Sequence, residues 1–510
     1  MGHFDRVNRF LRSAAPRTIF MSLASLVVVP VHAVDIAPSQ ILTASTPIPG
    51  ATFGTRIHVD GDWLAIGADG DAGESARGHV HVYKKVDSEW TPHQTFTAPD
   101  GIPGDHFGLP VVIQADTMIV GAPGDDDLGF WSGSAYIYRL IDGDWTYEAK
   151  LVAPLGDNPN ALFGLSACFG RSTDEVMIGA FLESLEDEAE GGVWIFRRDD
   201  DTWTVHQRLG VPGVHGAAYF GRSLDVENEI LAVSASGLVG EIGFRHGGVA
   251  IHRFIGDQWV LDTMLVPAEP EPYQVFGEWI DLEADRLAIG APFEDTFGID
   301  VGAVHLYQMN GATPTLKAHF GPTNPQDVKG FGFPCVLNPD GSRLLAGGYR
   351  STLDGEYESG GGWIHQEVDG LWEAAIRLRP NEDGERDYFG ISASFDGDHA
   401  VMSAPRADLP DGQIDVGSVL VFPLADCDSN GLLDAWEIAE GLVNDGNADG
   451  LPDGCDSARV DLDGDGQVDG NDLGLFMALW GTNGRFGGDF DGNDIVDGSD
   501  LAILLAGWAA

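Results

Sequence analysis

Phe107-Gly108-Leu109-Pro110-Val111-Val112-Ile113, then Thr117-Met118-Ile119-Val120-Gly121-Ala122-Pro123, then Ala135-Tyr136-Ile137-Tyr138 make up one unit of a pattern that runs through most of this chain. The opening doublet recurs at Phe53, Phe107, Phe163, Phe220, Phe276, Phe331 and Phe389, each followed by Gly, with successive differences of 54, 56, 57, 56, 55 and 58 residues. A period this steady means one supersecondary unit per repeat, each packed against its neighbours.

Three further columns travel with the Phe-Gly. The second reads Gly67-Ala68, Gly121-Ala122, Gly179-Ala180, Ser234-Ala235, Gly290-Ala291, Gly347-Gly348 and Ser403-Ala404, each after a short apolar run. The third is a glycine followed by alternating apolar residues that end in an aromatic or His, as in Val80-His81-Val82-Tyr83, Val193-Trp194-Ile195-Phe196 and Val419-Leu420-Val421-Phe422. The fourth holds Trp90, Trp145, Trp203, Trp259 and Trp372, each leading into another short strand. Period-two alternation bounded by Gly and Asp is a strand signal. Four strands per repeat and seven repeats predict an all-β fold, a seven-bladed propeller of four-stranded blades over residues 34–423.

The chain ends supply a check. The seventh repeat stops after its third strand at Phe422, while an orphan fourth-type strand, Gln40-Ile41-Leu42-Thr43-Ala44, precedes the first Phe-Gly. Antiparallel pairing of 40–44 with 417–422 is expected to close the ring and remove its last free edge.

Phe-Gly, a strand, then Gly-Ala, often with Pro (Gly121-Ala122-Pro123, Gly290-Ala291-Pro292), resembles the FG-GAP repeat of integrin alpha-subunit propellers and their bacterial relatives, over about residues 40 to 423. Integrin-type repeats often carry an Asp-rich calcium loop between the two motifs. Here that interval holds only tight turns such as Asp60-Gly61-Asp62 and Asp396-Gly397-Asp398, so the propeller is expected to be calcium-free.

Composition bounds the function. Eighty Asp plus Glu against 28 Lys plus Arg give a formal net charge of -52, which repels nucleic acid and anionic membrane surfaces. Arg6, Arg9, Arg12 and Arg17 precede an apolar run from Ile19 to Val31 and the small-residue site Val31-His32-Ala33. That reads as a secretory signal over 1–33, with an extracellular or cell-surface destination and no membrane span after cleavage. Of four cysteines, Cys168 and Cys335 lie three blades apart and are expected to be buried free thiols.

After Phe422 the pattern changes. Four twelve-residue windows place oxygen ligands at positions 1, 3, 5, 9 and 12 with a backbone carbonyl at 7, the rule of a calcium loop. The first runs Asp426, Asp428, Asn430, Leu432 carbonyl, Asp434 and Glu437; the second Asp445, Asn447, Asp449, Leu451 carbonyl, Asp453 and Asp456. The third runs Asp461, Asp463, Asp465, Gln467 carbonyl, Asp469 and Asp472; the fourth Asp489, Asp491, Asn493, Ile495 carbonyl, Asp497 and Asp500. Gly431, Gly450 and Gly466 take the sharp-turn position 6, where the fourth window has Asp494. Carboxylates this crowded repel one another unless a cation offsets them, so Ca²⁺ is the expected cofactor.

The third and fourth windows are each followed by an apolar segment, Leu473 to Trp480 and Leu501 to Leu505. This duplicated loop-helix resembles the type I dockerin module over roughly 458–510, which implies calcium-governed docking to a cohesin-like protein. The first and second windows, a spacer over 424–457, are similar to thrombospondin type 3 calcium repeats, with Trp436, Ile438 and Ala439 on a short intervening helix. A Cys427 to Cys455 disulfide fits that resemblance and a secreted protein.

No His-Glu-x-x-His, Gly-x-Ser-x-Gly, P-loop or Cys-x-x-Cys occurs. Ser166, Ser223 and Ser392 recur after Phe-Gly and read as structural; His79, His81, His252, His305 and His365 read as packing or surface histidines on blade strands. The acidic runs Asp125-Asp126-Asp127 and Glu186-Asp187-Glu188 read as solvated loops. The expectation is a secreted, non-catalytic interaction or scaffold protein, monomeric in its propeller, whose rim binds an extracellular protein or glycan. An extracellular polysaccharide-acting enzyme recruited through the tail and an integrin-like adhesin are the alternatives that the sequence leaves open.

Overall fold

The computed structural model describes residues 35–508 other than 71–76, 155–157, 185–188, 212–215, 240–243, 312, 323–324, 354, 369, 381–383, 398, 409–411, 413, 428–429, 446–451, 453–454, 456–459, 461, 463–467, 483–487, 489 and 491–494. The signal-like segment lies outside the described residues.

Seven antiparallel sheets each follow the repeat register, as in Val111–Gln114, Thr117–Ala122, Ser134–Ile141 and Asp144–Leu151. Their innermost strands touch in cyclic order, the seventh (Ala393–Phe395) returning to the first (Arg56–Asp60). The ring closes as expected, with Gln40 opposite Val421, Ile41 opposite Leu420 and Leu42 opposite Val419, all antiparallel. One strand had no sequence signal: Asp35–Ile36 adds in parallel to the outer edge of blade 6, beside Arg377 and Leu378.

Joined blades explain the repeat columns. All seven Phe-Gly rings are 0% exposed, and each apolar cluster mixes neighbouring blades, for example Ala65, Val80 and Val82 of blade 1 with Phe107, Val111 and Tyr136 of blade 2. The core therefore lies at the blade interfaces. The two glycine columns serve different needs: the Phe-Gly glycines are left-handed, as at Gly108 with φ 106°, while in the Gly-Ala column a Cβ on Gly121 would sit 2.0 Å from the Gly164 carbonyl of the next blade. The residue before Phe-Gly is left-handed, with φ of 55° at Thr52, 56° at Val275 and 56° at Tyr388. Such backbone is strained for β-branched residues, and an interblade bond offsets it: Phe53 N–H donates to Val416, and Phe276 N–H to His246.

Polar side chains complete the seams. Innermost strands leave N–H groups unpaired at their edges, and the preceding blade accepts them. Ile57 donates to Ser392 Oγ, Ile280 to Ser223 Oγ and Leu282 to Asp225 Oδ2, at 3.1, 3.1 and 2.7 Å. Ser166 instead donates to the Gly221 carbonyl, so all three recurrent serines are structural. On the outer strands a glutamine clamps the backbone of the next blade's Trp at both N–H and C=O: Gln94 on Trp145, Gln207 on Trp259, and Gln40 on Trp90. The N-terminal strand thus makes the same clamp as its counterparts. Cys168 and Cys335 are buried and free, and Cys427 and Cys455 are bonded with Cα atoms 5.9 Å apart.

Beyond the ring lie α1 (Asp434–Ala439), α2 (Gly470–Leu479) and α3 (Gly498–Trp508). Leu424, Leu433 and Trp436 share one apolar cluster with Ile364, Phe395 and Phe422, so the segment after the ring packs on blades 6 and 7. Val460, Phe476, Phe490, Val496 and Leu504 form a separate cluster that unites the two halves of the terminal repeat.

Candidate interaction mouth and calcium loops

The first or second residue after each Phe-Gly ends up at one mouth of the central channel, where a cavity of about 270 Å³ opens among Arg56, Arg222, Glu278, Trp279 and Phe333. Arg222 gives Nε and Nη2 to Glu278 Oε1 at 3.0 and 2.9 Å and lies over the Phe181 ring. Arg56 has no ion pair among the described residues: its Nη1 donates to the Thr55 carbonyl at 2.8 Å and its guanidinium lies over Trp279, 5.4 Å from the centroid. Burial, followed by the like charge of Arg222, lowers the Arg56 pKa to about 10. Trp279, Phe333, Tyr349 and Tyr388 continue as a chain of ring contacts at 5.3, 5.3 and 6.2 Å, and Arg406 covers Tyr388. A guanidinium that Asp69 and Glu278 influence but that makes no ion-pair contact among the described residues, set over a tryptophan face, suits a ligand with a carboxylate and an apolar ring face.

Deeper in the channel the charge reverses. Asp225, Asp281 and Glu283 line it, and Asp225 and Glu283 are each pushed up to about 7, mainly by burial and then by neighbouring carboxylates. Asp281 is raised as well, by burial and Asp225. Asp225 and Asp281 each accept a backbone amide of the next blade, so these acids belong to the seams.

Ser166, Ser223 and Ser392, read from sequence as structural, also line the cavity, but Arg56, Arg222, Glu278, Trp279 and Phe333 were not singled out by sequence. Their signal was disagreement: Thr55-Arg56, Leu109-Pro110, Arg222-Ser223 and Glu278-Trp279 occupy one position that no two of these repeats fill alike. One loop expectation needs correcting. Asp125 is not solvated but 3% exposed, because Lys150 Nζ lies 2.7 Å from its Oδ2 and Ser134 donates to the same oxygen. Asp126 and Asp127 are exposed; Glu186, Asp187 and Glu188 lie outside the described residues.

In the first calcium-type window Asp426 accepts the amides of Asn430 and Gly431, each at 3.0 Å, and Arg343 Nη2 approaches it at 3.4 Å. Asn430 Nδ2 donates to Glu437 Oε1, while Glu437 Oε2, on a residue 4% exposed, has no hydrogen-bond partner. Leu432 donates its amide to Asn430 Oδ1, and Asp434, 0% exposed, accepts the Cys427 amide. Asp428 lies outside the described residues, as do Asn447, Asp449, Leu451, Asp453 and Asp456 of the second window, which leaves Asp445 there.

The third and fourth windows match each other at every described position. Asp472 and Asp500, both 0% exposed, accept the position-2 amides of Leu462 and Phe490 at 2.7 and 2.6 Å. The same carboxylates accept the position-9 amides of Asp469 and Asp497, both at 2.7 Å. Asp469 and Asp497 in turn cap the helices, accepting from Asn471 and Ser499. Val496, beside Ile495, accepts from Gly481 and donates to Thr482. Asp461, Asp463, Asp465, Gln467, Asp489, Asp491 and Asn493 lie outside the described residues. No helix among the described residues is long and apolar enough to cross a membrane.

A family model described as the FG-GAP repeat matches residues 90–138 and 372–422, each span running from the fourth strand of one blade through the third strand of the next. Among solved structures, a chain of the crystal structure of a mitotic checkpoint complex superposes with a TM-score of 0.46 at 10% identity, over 76% of this chain and 95% of that one. The ring is a seven-bladed propeller that carries FG-GAP repeats.

Proposed function

We propose that this is a secreted, non-catalytic interaction protein whose propeller mouth takes a carboxylate-bearing extracellular ligand, a glycan or a protein segment, while a Ca²⁺-held tail docks to a second partner. The observation that carries the reading is Arg56, a recessed guanidinium with no ion pair among the described residues, in a chain of formal net charge -52. In so acidic a protein a cation free of ion pairing is costly to keep and useful for binding an anion. Support for the tail comes from the equivalent roles of Asp472 and Asp500, which organise two loops whose remaining ligand positions are all carboxylate or amide. Oxygen-only ligand sets suit a hard cation such as Ca²⁺, and the likeness to dockerins makes a cohesin-like protein the tail's expected partner.

The test is binding of the full chain to a panel of uronate-containing oligosaccharides and acidic peptides, with and without Ca²⁺, beside an Arg56→Ala/Arg222→Ala variant. Binding that falls at least tenfold in the variant at unchanged thermal stability supports the mouth. Equal binding by both proteins removes it. Calorimetric titration with Ca²⁺ should release heat as helix content rises, and silence in both signals would remove the calcium claim.

A further inference from the structure

One turn is built identically in most blades. The fifth residue of the motif that starts at Gly-Ala donates its amide to the Ala carbonyl, and its own carbonyl accepts the glycine before the third strand. Asp125, Glu183 and Glu294 all make both bonds, at 3.2 and 2.9, 3.0 and 3.0, and 3.1 and 3.0 Å. In each of the three, the buried carboxylate faces one cross-strand pair: Tyr136 with Lys150, Trp194 with Arg208, and His305 with His319. Where this turn position is apolar, as at Leu238, the facing pair is apolar too, Ala250 with Met264.

Blades 2 and 3 neutralise the carboxylate with a permanent cation. Lys150 lies 2.7 Å from Asp125, and Arg208 lies 2.6 Å from Glu183. Blade 5 does not. His305 Nε2 and His319 Nε2 each lie 2.7 Å from a separate oxygen of Glu294, which Thr296 Oγ1 also reaches at 2.7 Å. An imidazole, unlike an ammonium or a guanidinium, is not a permanent cation, so Glu294, 4% exposed, lacks the permanent cationic partner its counterparts have.

We propose that Glu294, His305 and His319 form a site for a borderline transition-metal ion, with Zn²⁺ the best fit, separate from the calcium-type loops. Two imidazole nitrogens and a carboxylate oxygen are the donor set of a three-ligand zinc site with one open position. The three ligand atoms already lie within 4.8 Å of one another. The rings stack at 4.2 Å and 20°, each with its Nε2 directed at Glu294. An ion held there would take the Nε2 lone pair of each ring, with the ring proton on Nδ1. His305 is fixed in the blade against Phe276, and His319, between His305 and Phe297 with its side chain 29% exposed, puts the fourth position on the solvent side.

The experiment is Zn²⁺ titration of chelator-stripped full-length protein in excess Ca²⁺, which keeps the acidic loops occupied, with wild type, His305→Ala and His319→Arg compared. His319→Arg rebuilds the Arg208 with Glu183 pair of blade 3, so the fold is kept while the donor set is broken. Expected are one Zn²⁺ per chain in wild type, tetrahedral Co²⁺ absorption in the visible, and at least a tenfold loss of affinity in His319→Arg with its melting temperature unchanged in chelator. If His305→Ala fails to fold, His319→Arg decides alone. No saturable binding by wild type, or binding that survives His319→Arg, overturns the site.

Discussion

The ring and the tail are both rich in acids, yet they handle them in opposite ways. In the ring, buried carboxylates are matched by cations and amides of the chain itself: Asp125 by Lys150, Glu183 by Arg208, Glu175 by Arg197. From Leu424 to Ala510, nineteen Asp and Glu side chains accompany two arginines, Arg459 and Arg485. On the proposed calcium reading, such a segment relies on an external cation to offset its repulsion. The ring's stability is carried by packing, hydrogen bonds and ion pairs within the chain; on the proposed calcium reading, the tail's depends on what the solvent supplies. The first calcium-type window lies between the two regimes, because Arg343 from blade 6 already reaches its Asp426.

The most severe break in this comparison is steric. Gly121→Val should abolish the cooperative unfolding transition of the ring, since its Cβ has no space against the Gly164 carbonyl. The milder Phe163→Ala, at a fully buried wedge, should cost about 3–5 kcal/mol in denaturant unfolding. Neither change should alter Ca²⁺ affinity in whatever tail remains folded, and a loss there would show that ring and tail are one energetic unit. Next in size, chelation should erase the far-ultraviolet helical signal of α2 and α3 while the main thermal transition stays within a few degrees. Asp472→Asn should imitate chelation in the third loop alone, with at least a tenfold weaker site by calorimetry.

A smaller effect tests the intermediate case. Arg343→Met removes a positive charge 3.4 Å from Asp426 and should tighten Ca²⁺ binding in the first loop by about threefold to tenfold, worth roughly 1 kcal/mol. Unchanged affinity would mean that this loop holds no ion. Smallest of all is a pH effect within the ring. Asp225 is raised to about 7 in the folded state against about 3.9 in an unfolded chain. The native protein therefore keeps a proton that the unfolded chain releases, and its stability falls as pH rises from about 4 to 7. Asp225→Asn should flatten that fall in urea unfolding measured across the window.

The repeat spacing, the strand columns, the pairing of Ile41 with Leu420 and the disulfide were all legible in the primary structure. Each depends on a regularity that survives in one dimension: a period, a missing fourth strand, a leftover strand of the right type, two cysteines flanking matched loops. The mouth was not legible, because Arg56 and Trp279 are 223 residues apart (279 minus 56) and meet only after the first and fifth blades share one channel. The Asp125 run reads as a solvated loop because nothing local shows that Lys150, one strand further on, turns back over it.

By itself, then, the sequence determined the number of blades, their closure and the spacing of the tail's oxygen ligands, since period-two and twelve-residue patterns are set by backbone geometry that any such chain must obey. Which carboxylates are paired, which cation is left without an anion, and which two histidines share one glutamate were decided only by the tertiary structure. Charge interactions depend on distance and burial through space, and the ring brings together residues that the chain order keeps apart.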